Sequence, residues 1–326
     1  MVHEAGLLTL QQVHRLVESE YPEALGVSSE TAYGPYLEGA STQQGIEAGL
    51  MRFLADEYGF VDQITRGTRV VDFMHLKYDF HNLRVVLKEK YFEEVSGDRL
   101  LSGLGTVEVE SLRAAAGGDS AAVVPGYLRG VMEAVSRRVQ VKGADPQFID
   151  TVVDRSFLQR RLEVASEIGS GLLVDFARAT IDVANLGILL RGRNLAKGPE
   201  FYEEAIAEGG ELPRRKLLGL AGEPFDVVAP ALPGTRYGRL LRGLAEKGDE
   251  KARLTSLDRA TDEYLLEQLH RFASVSVGPE RVVRYMLARE NEVAMLRVIF
   301  IGKLNALTPG MIESRLPVAY MREAVR

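Results

Sequence analysis

One pattern recurs three times along the chain and constrains its fold more than any other feature. Asp79-Phe80-His81-Asn82-Leu83-Arg84-Val85-Val86-Leu87 is echoed by Asp182-Val183-Ala184-Asn185-Leu186-Gly187-Ile188-Leu189-Leu190 and by Glu292-Val293-Ala294-Met295-Leu296-Arg297-Val298-Ile299-Phe300. The three acids are separated by 103 and 110 residues. Phe80, Leu83 and Leu87 fall at i, i+3 and i+7, which is one face of an α-helix; Val183, Leu186 and Leu190 repeat it, as do Val293, Leu296 and Phe300. A repeat this long is not a tetratricopeptide or ankyrin unit. The spacing predicts a long helix within each of 68–91, 171–193 and 279–303, with Leu83, Leu186 and Leu296 buried in equivalent places. The acid and the Asn lie three apart and so neighbour each other on the helix. Asp79, Asn82, Asp182, Asn185 and Glu292 are expected to cap or bridge neighbouring helices rather than hold a ligand. A buried Asn can satisfy several backbone groups at once, and Met295 replaces it in the third copy.

The rest of the chain also reads as helix. Ser41 with Gln44 looks like a capping box ahead of Ile46, Leu50 and Phe53/Leu54. Asp145-Pro146 is an N-cap and first-turn pair before Ile149, Val152/Val153 and Phe157. Leu265, Leu266, Leu269 and Phe272 form another stripe, and Gly278-Pro279 opens a further helix. Thr106 to Glu110 is the one alternating stretch, and it is short. The expected class is all-α. Gly- and Pro-rich breaks at 117–126 and 222–234 divide the chain into helical units at 1–116, 117–228 and 229–326.

Composition narrows the function. With 326 residues, 46% hydrophobic and 26% charged, the chain can fill more than one core, and without Trp that core is mainly aliphatic. A net charge of -6 lacks the footprint of a nucleic-acid binder. The absence of Cys removes disulfides, thiolate metal sites and Cys nucleophiles. No stretch approaches 18 uncharged apolar residues, so no direct membrane span is expected.

Motifs that carry chemistry are scarce. Gly187 to Gly192 has the spacing of a phosphate loop, but Arg193-Asn194 follows and the segment lies inside a predicted helix. Gly103-Leu104-Gly105 lacks the third glycine of a dinucleotide loop. His75 and Asp79 are the best metal candidates, but His81 lies about 240° round the helix from His75 and cannot join them. They are expected to be a polar pair on a partly exposed face. His3, His14 and His270 are isolated. No catalytic, cofactor-binding or metal-binding residue is assigned.

The Asp-x-x-Asn-Leu helix, repeated and followed by Gly-interrupted segments, resembles the C subunit of archaeal and bacterial V/A-type ATPases and its eukaryotic relative, the V-ATPase d subunit. Asp79 to Leu83 and Asp182 to Leu186 match best, and Gly302 to Pro309 is similar to the family's exit from its last helix. The resemblance covers roughly residues 8 to 320. It departs at the start, where the family usually has an aromatic- and Arg-containing helix before the region matching Leu7 to Val17.

The resemblance implies three similar helical bundles in a funnel-shaped, pseudo-threefold arrangement. It implies a non-catalytic rotor subunit, cytoplasmic and peripheral to the membrane. Its partners would be the proteolipid ring and the D and F subunits of the central stalk, with no nucleic acid and no cofactor, and it would be a monomer in isolation. The Gly-broken segments 93–113, 198–218 and 302–316 are then expected to form the funnel's inner wall. Their cations Arg113, Arg214, Arg215, Lys216 and Arg315 become candidate partner contacts. The alternative is a free-standing α-helical adaptor for a soluble protein, which would not bring down ATPase subunits from a lysate.

Overall fold

The computed structural model describes residues 6–92, 97–98, 100–232, 236–275 and 277–316. Every regular element among them is helical and none is a strand. In chain order the α-helices are α1 (Leu10–Glu18), α2 (Tyr21–Ser29), α3 (Gly34–Leu37), α4 (Gln43–Ile64), α5 (Arg69–Tyr91), α6 (Val109–Gly117), α7 (Gly126–Lys142) and α8 (Pro146–Ile168). Then come α9 (Gly171–Asn194), α10 (Pro199–Ala205), α11 (Arg214–Leu218), α12 (Phe225–Ala231), α13 (Gly238–Ala245), α14 (Glu250–His270), α15 (Pro279–Leu304) and α16 (Pro309–Glu313). Three of the long ones, α5, α9 and α15, carry the repeated pattern.

Local chemistry sets the helix ends. Thr68 caps α5 by accepting from the Val70 amide, and Ser170 caps α9 by accepting from Leu173. Asp145 caps α8, with Pro146 at the first helical position. The cap of α4 is Thr42, which accepts from Gly45, one residue later than the expected Ser41. Thr106 to Glu108 is a loop, and Val109 opens α6, so the alternation there does not become a strand. Beyond α9 and α15 the chain leaves the helix by the same route. Ala196 and Ala306 adopt left-handed backbone (φ 49° and 54°), and Pro199 and Pro309 start the next helix.

The chain divides into two compact units. One joins the residues up to Gly67 with those from Leu266 onward; the other is Thr68–Leu265. In the second unit, Leu76, Phe80, Leu83 and Leu87 of α5 pack with Leu112, Leu128, Val135, Ile149 and Val153 from α6, α7 and α8. A separate cluster there gathers Val183, Leu186 and Leu190 of α9 with Leu217, Phe225, Leu241, Leu257 and Tyr264. In the first unit α15 packs on α4. Leu83, Leu186 and Leu296 are each 0% exposed.

Ionic rungs hold each patterned helix against a long neighbour. Lys88 reaches Asp150 at 2.7 Å and Arg84 pairs with Asp154, so α5 and α8 run antiparallel. Arg191 of α9 pairs with Asp258 of α14. Arg297 meets Glu47 at 2.8 Å, and Tyr285 donates to Glu57, so α15 and α4 are also antiparallel.

Candidate functional site

The repeated acids and amides organise the loops next to their helices. Asp79, 2% exposed, accepts the Thr106 amide at 2.6 Å and the Val107 amide at 3.1 Å on Oδ1, and the Thr106 hydroxyl at 2.8 Å on Oδ2. One turn on, Asn82 forms a two-way pair with Ser102: its Oδ1 accepts the Ser102 amide at 2.8 Å and its Nδ2 donates to the Ser102 carbonyl at 2.9 Å. The second copy repeats this arrangement. Asp182 accepts the Glu211 amide at 2.8 Å and the Leu212 amide at 3.1 Å, and Asn185 forms the two-way pair with Ala207 at 2.9 Å each way. The hydroxyl here comes from Tyr237, which donates to Asp182 Oδ2 at 2.5 Å.

Each carboxylate thus receives two consecutive backbone N–H groups and one hydroxyl, which is how a buried charge escapes the cost of lost water. Burial still dominates at both sites and holds the Asp79 and Asp182 carboxyls above the usual carboxylate range, against the opposing pull of their hydrogen bonds. Burial, and then the contact with Asp182, keeps the Tyr237 phenol protonated. Close approach explains the glycine before each amide pair. A Cβ on Gly105 would stand 2.8 Å from Asn82 Nδ2, and one on Gly210 would collide with Asp182 Oδ1.

The third carboxylate is served by a segment 284 residues away. Glu292 accepts the Leu8 amide, and its other oxygen accepts the Tyr33 hydroxyl at 2.6 Å and Arg289 Nη1 at 2.8 Å. Arg289 also donates to the Gly6 carbonyl at 3.0 Å and to the Tyr285 hydroxyl at 3.0 Å, with the Phe53 ring 5.4 Å from its guanidinium carbon. Gly6-Leu7-Leu8 therefore takes the place held by Gly105-Thr106-Val107 and Gly210-Glu211-Leu212, and each triplet is followed by the N-cap of a helix: Thr9, Glu108 and Pro213. Tyr33-Gly34 likewise matches Tyr237-Gly238.

Sequence spacing does not point to this segment, because the closing loops of the first two copies lie downstream of their helices and this one lies far upstream. The signal that does mark it is the Gly-x-Leu/Val triplet ahead of a helix, with Tyr-Gly-x-x-Leu-x-Gly further on at 33–39 and 237–243.

The remaining candidates are scattered. His75 is buried, not partly exposed, and donates from Nδ1 to the Leu104 carbonyl at 2.6 Å, so it fixes the Asp79 loop from a second side. His81 is exposed. Gly187 and Gly192 lie inside α9. Among the described residues no group of three His, Asp or Glu could hold a metal ion, and no helix is long and apolar enough to cross a membrane.

Of the five cations, Arg113 is held at Glu89 (3.1 Å), Asp98 (2.5 Å) and Glu110 (2.9 Å), and Arg214 at Glu203 (2.7 Å). Arg215, Lys216 and Arg315 are exposed. Arg113 stands on α6 and Arg214 to Lys216 on α11, the helices that follow the first two closing loops. Arg315 follows α16.

Comparison with known proteins places these observations in a family context. A family described as the ATP synthase (C/AC39) subunit matches residues 1–315. The C subunit of the V-type sodium ATPase of Enterococcus hirae is 24% identical over 325 residues, 97% of this chain and 95% of the relative. Its counterpart in the A-type ATP synthase of Methanocaldococcus jannaschii is 26% identical over 336 residues, covering 96% and 83%. That of Thermococcus onnurineus is 28% identical over 309 residues, covering 91% and 82%.

Proposed function

Because this chain belongs to the ATP synthase (C/AC39) subunit family, we propose that it is the socket of a rotary V/A-type ATPase, joining the D–F shaft to the proteolipid ring. In this reading it turns with the rotor on the cytoplasmic face and passes torque between ATP turnover and ion movement. It performs no chemistry itself. The described parts of the segments that follow α5, α9 and α15 are the surfaces it offers to the shaft.

The observation that carries the reading is the triplicated carboxylate-and-loop device in a chain that matches the family over 1–315. A part that transmits torque must not yield where its helices meet its loops. Each buried acid ties a helix to the backbone of a loop, a rigid joint that flexible side chains alone would not give. Exposed charges at Arg215, Lys216 and Arg315 suit a surface that docks and releases, since rim charges steer association without a large sticky patch.

The experiment is binding of the purified chain to the D–F shaft and, separately, to the detergent-solubilised ring. Both are expected to bind. The R215E/K216E double variant is expected to weaken one of them at low salt and to differ less from the parent at high salt. Failure of the parent chain to bind either partner would overturn the proposal, and unchanged affinity of the variant for both would remove α11 from the interface.

A further inference from the structure

We propose that the three repeated bundles behave as two cooperative blocks: the α5 and α9 bundles open as one, joined through α8 at Arg161, and the α4–α15 bundle opens by itself. By its repeat alone the chain would divide into three. The structure gives the first two copies a shared helix. α8 packs along both α5 and α9. Its Ile149, Val152 and Val153 complete the core around Leu83. Further along, Leu158 packs with Ile181 of α9 and with Ala207. The Phe157 ring packs against both of these clusters. Neither bundle can shed α8 without exposing the apolar surface that α8 covers, and a helix that shields two cores couples their opening.

Polar contacts reinforce the joint. The guanidinium carbon of Arg161, on α8, stands 4.8 Å from the centre of the Phe73 ring of α5 and 5.1 Å from that of Phe176 of α9. The Phe157 ring centre is 5.8 Å away. One cation thus meets rings from all three helices, an attraction that strengthens where water is excluded. Nearer the start of α8, Arg155 donates to the Glu204 carbonyl of α10 at 2.8 Å, and Gln147 accepts from Lys197. On α7, Lys142 pairs with Glu200 and Arg138 with Glu204 at 3.6 Å. Both helices α7 and α8 are therefore tied to the segment that follows α9. The α4–α15 bundle belongs to the other compact unit, built from residues up to Gly67 and from Leu266 onward. There α15 packs on α4, α2 and α16. This partition holds whether or not the chain serves as a socket.

Native-state hydrogen exchange of the full chain, read amide by amide, tests it. L83A is expected to speed the slowest amides of α5 and of α9 by a common factor, roughly thirtyfold or more, and to leave those of α4 and α15 within about twofold of the parent. L296A is expected to do the reverse. V86A, a smaller cut in the same core as Leu83, serves where L83A fails to fold, with the same pattern at lower amplitude. Combining R161M with either variant of the Leu83 core is expected to weaken the transfer, so that α9 is accelerated less than α5. Acceleration by L83A confined to α5, or spread equally to α15, would overturn the two-block partition. Equal transfer to α9 with and without R161M would overturn the role of Arg161 as the joint.

Discussion

The hydroxyl of Tyr33 donates to Glu292 at 2.6 Å across 259 positions of sequence, and Tyr237 makes the same contact with Asp182 at 2.5 Å across 55. Both phenols are pushed above their usual range by burial first and by the carboxylate they face, so both stay donors throughout the accessible pH range. At Asp79 a threonine hydroxyl takes this role. The prediction is that Y33F and Y237F each cost about 1–3 kcal/mol, the penalty for leaving a buried acceptor short of one donor. Urea unfolding followed by far-ultraviolet circular dichroism measures it, and a change within error would show that the hydroxyls are bystanders.

Truncation of the shared stripe should be felt equally in all three copies. L83A, L186A and L296A each empty a fully buried site, and each is expected to cost about 2–5 kcal/mol. Thermal and urea midpoints check this. A variant as stable as the parent would mean that its helix is not packed through that leucine.

Much of this is legible in the sequence, and what is not has a physical reason. The acid-x-x-Asn/Met-Leu pattern with its i, i+3, i+7 stripe recurs in α5, α9 and α15, so their positions follow from the repeat. Asp79 and Asn82 read as a structural pair because the helix geometry places them side by side. The loops that close on them do not, since a loop has no period, and Glu292's partner lies far off in sequence. His75 reads as partly exposed because a lone polar residue on an apolar helix face gives no sign of whether a carbonyl waits for it; Leu104 supplies one. The Thr42 cap differs from Ser41 by a single residue of similar capping chemistry.

The helix exits offer a stabilising change. Ala196 and Ala306 both hold positive φ, where a side chain crowds the backbone. A196G and A306G are each expected to raise stability by up to about 1 kcal/mol, the relief of left-handed strain less the greater chain entropy of glycine. A lowered melting temperature in both would contradict this.

Asp182 should leave a signature in the pH dependence of stability. Burial raises its carboxyl above the ordinary value of 3.8, so the folded chain keeps that proton to higher pH than the unfolded chain does. Its contribution is complete below 3.8 and is lost as pH rises through the elevated folded value. D182N cannot titrate. Its constant offset reflects an amide donor facing the backbone N–H groups of Glu211 and Leu212. The stability gap between parent and D182N should therefore move in favour of the variant as pH rises from about 3 to about 7. A gap that is flat in pH, or that moves the other way, would show that the hydrogen bonds outweigh burial.

The central claim is mechanical coupling, and it is tested by ion pumping. Complexes reconstituted in vesicles from the catalytic head, the D–F shaft and the membrane sector are compared with and without this chain. With it, ATP hydrolysis should drive ion uptake and should stop when an inhibitor blocks the proteolipid ring. Without it, hydrolysis should continue, insensitive to that inhibitor, and uptake should vanish. Coupled, inhibitor-sensitive pumping in vesicles lacking the chain would contradict the claim.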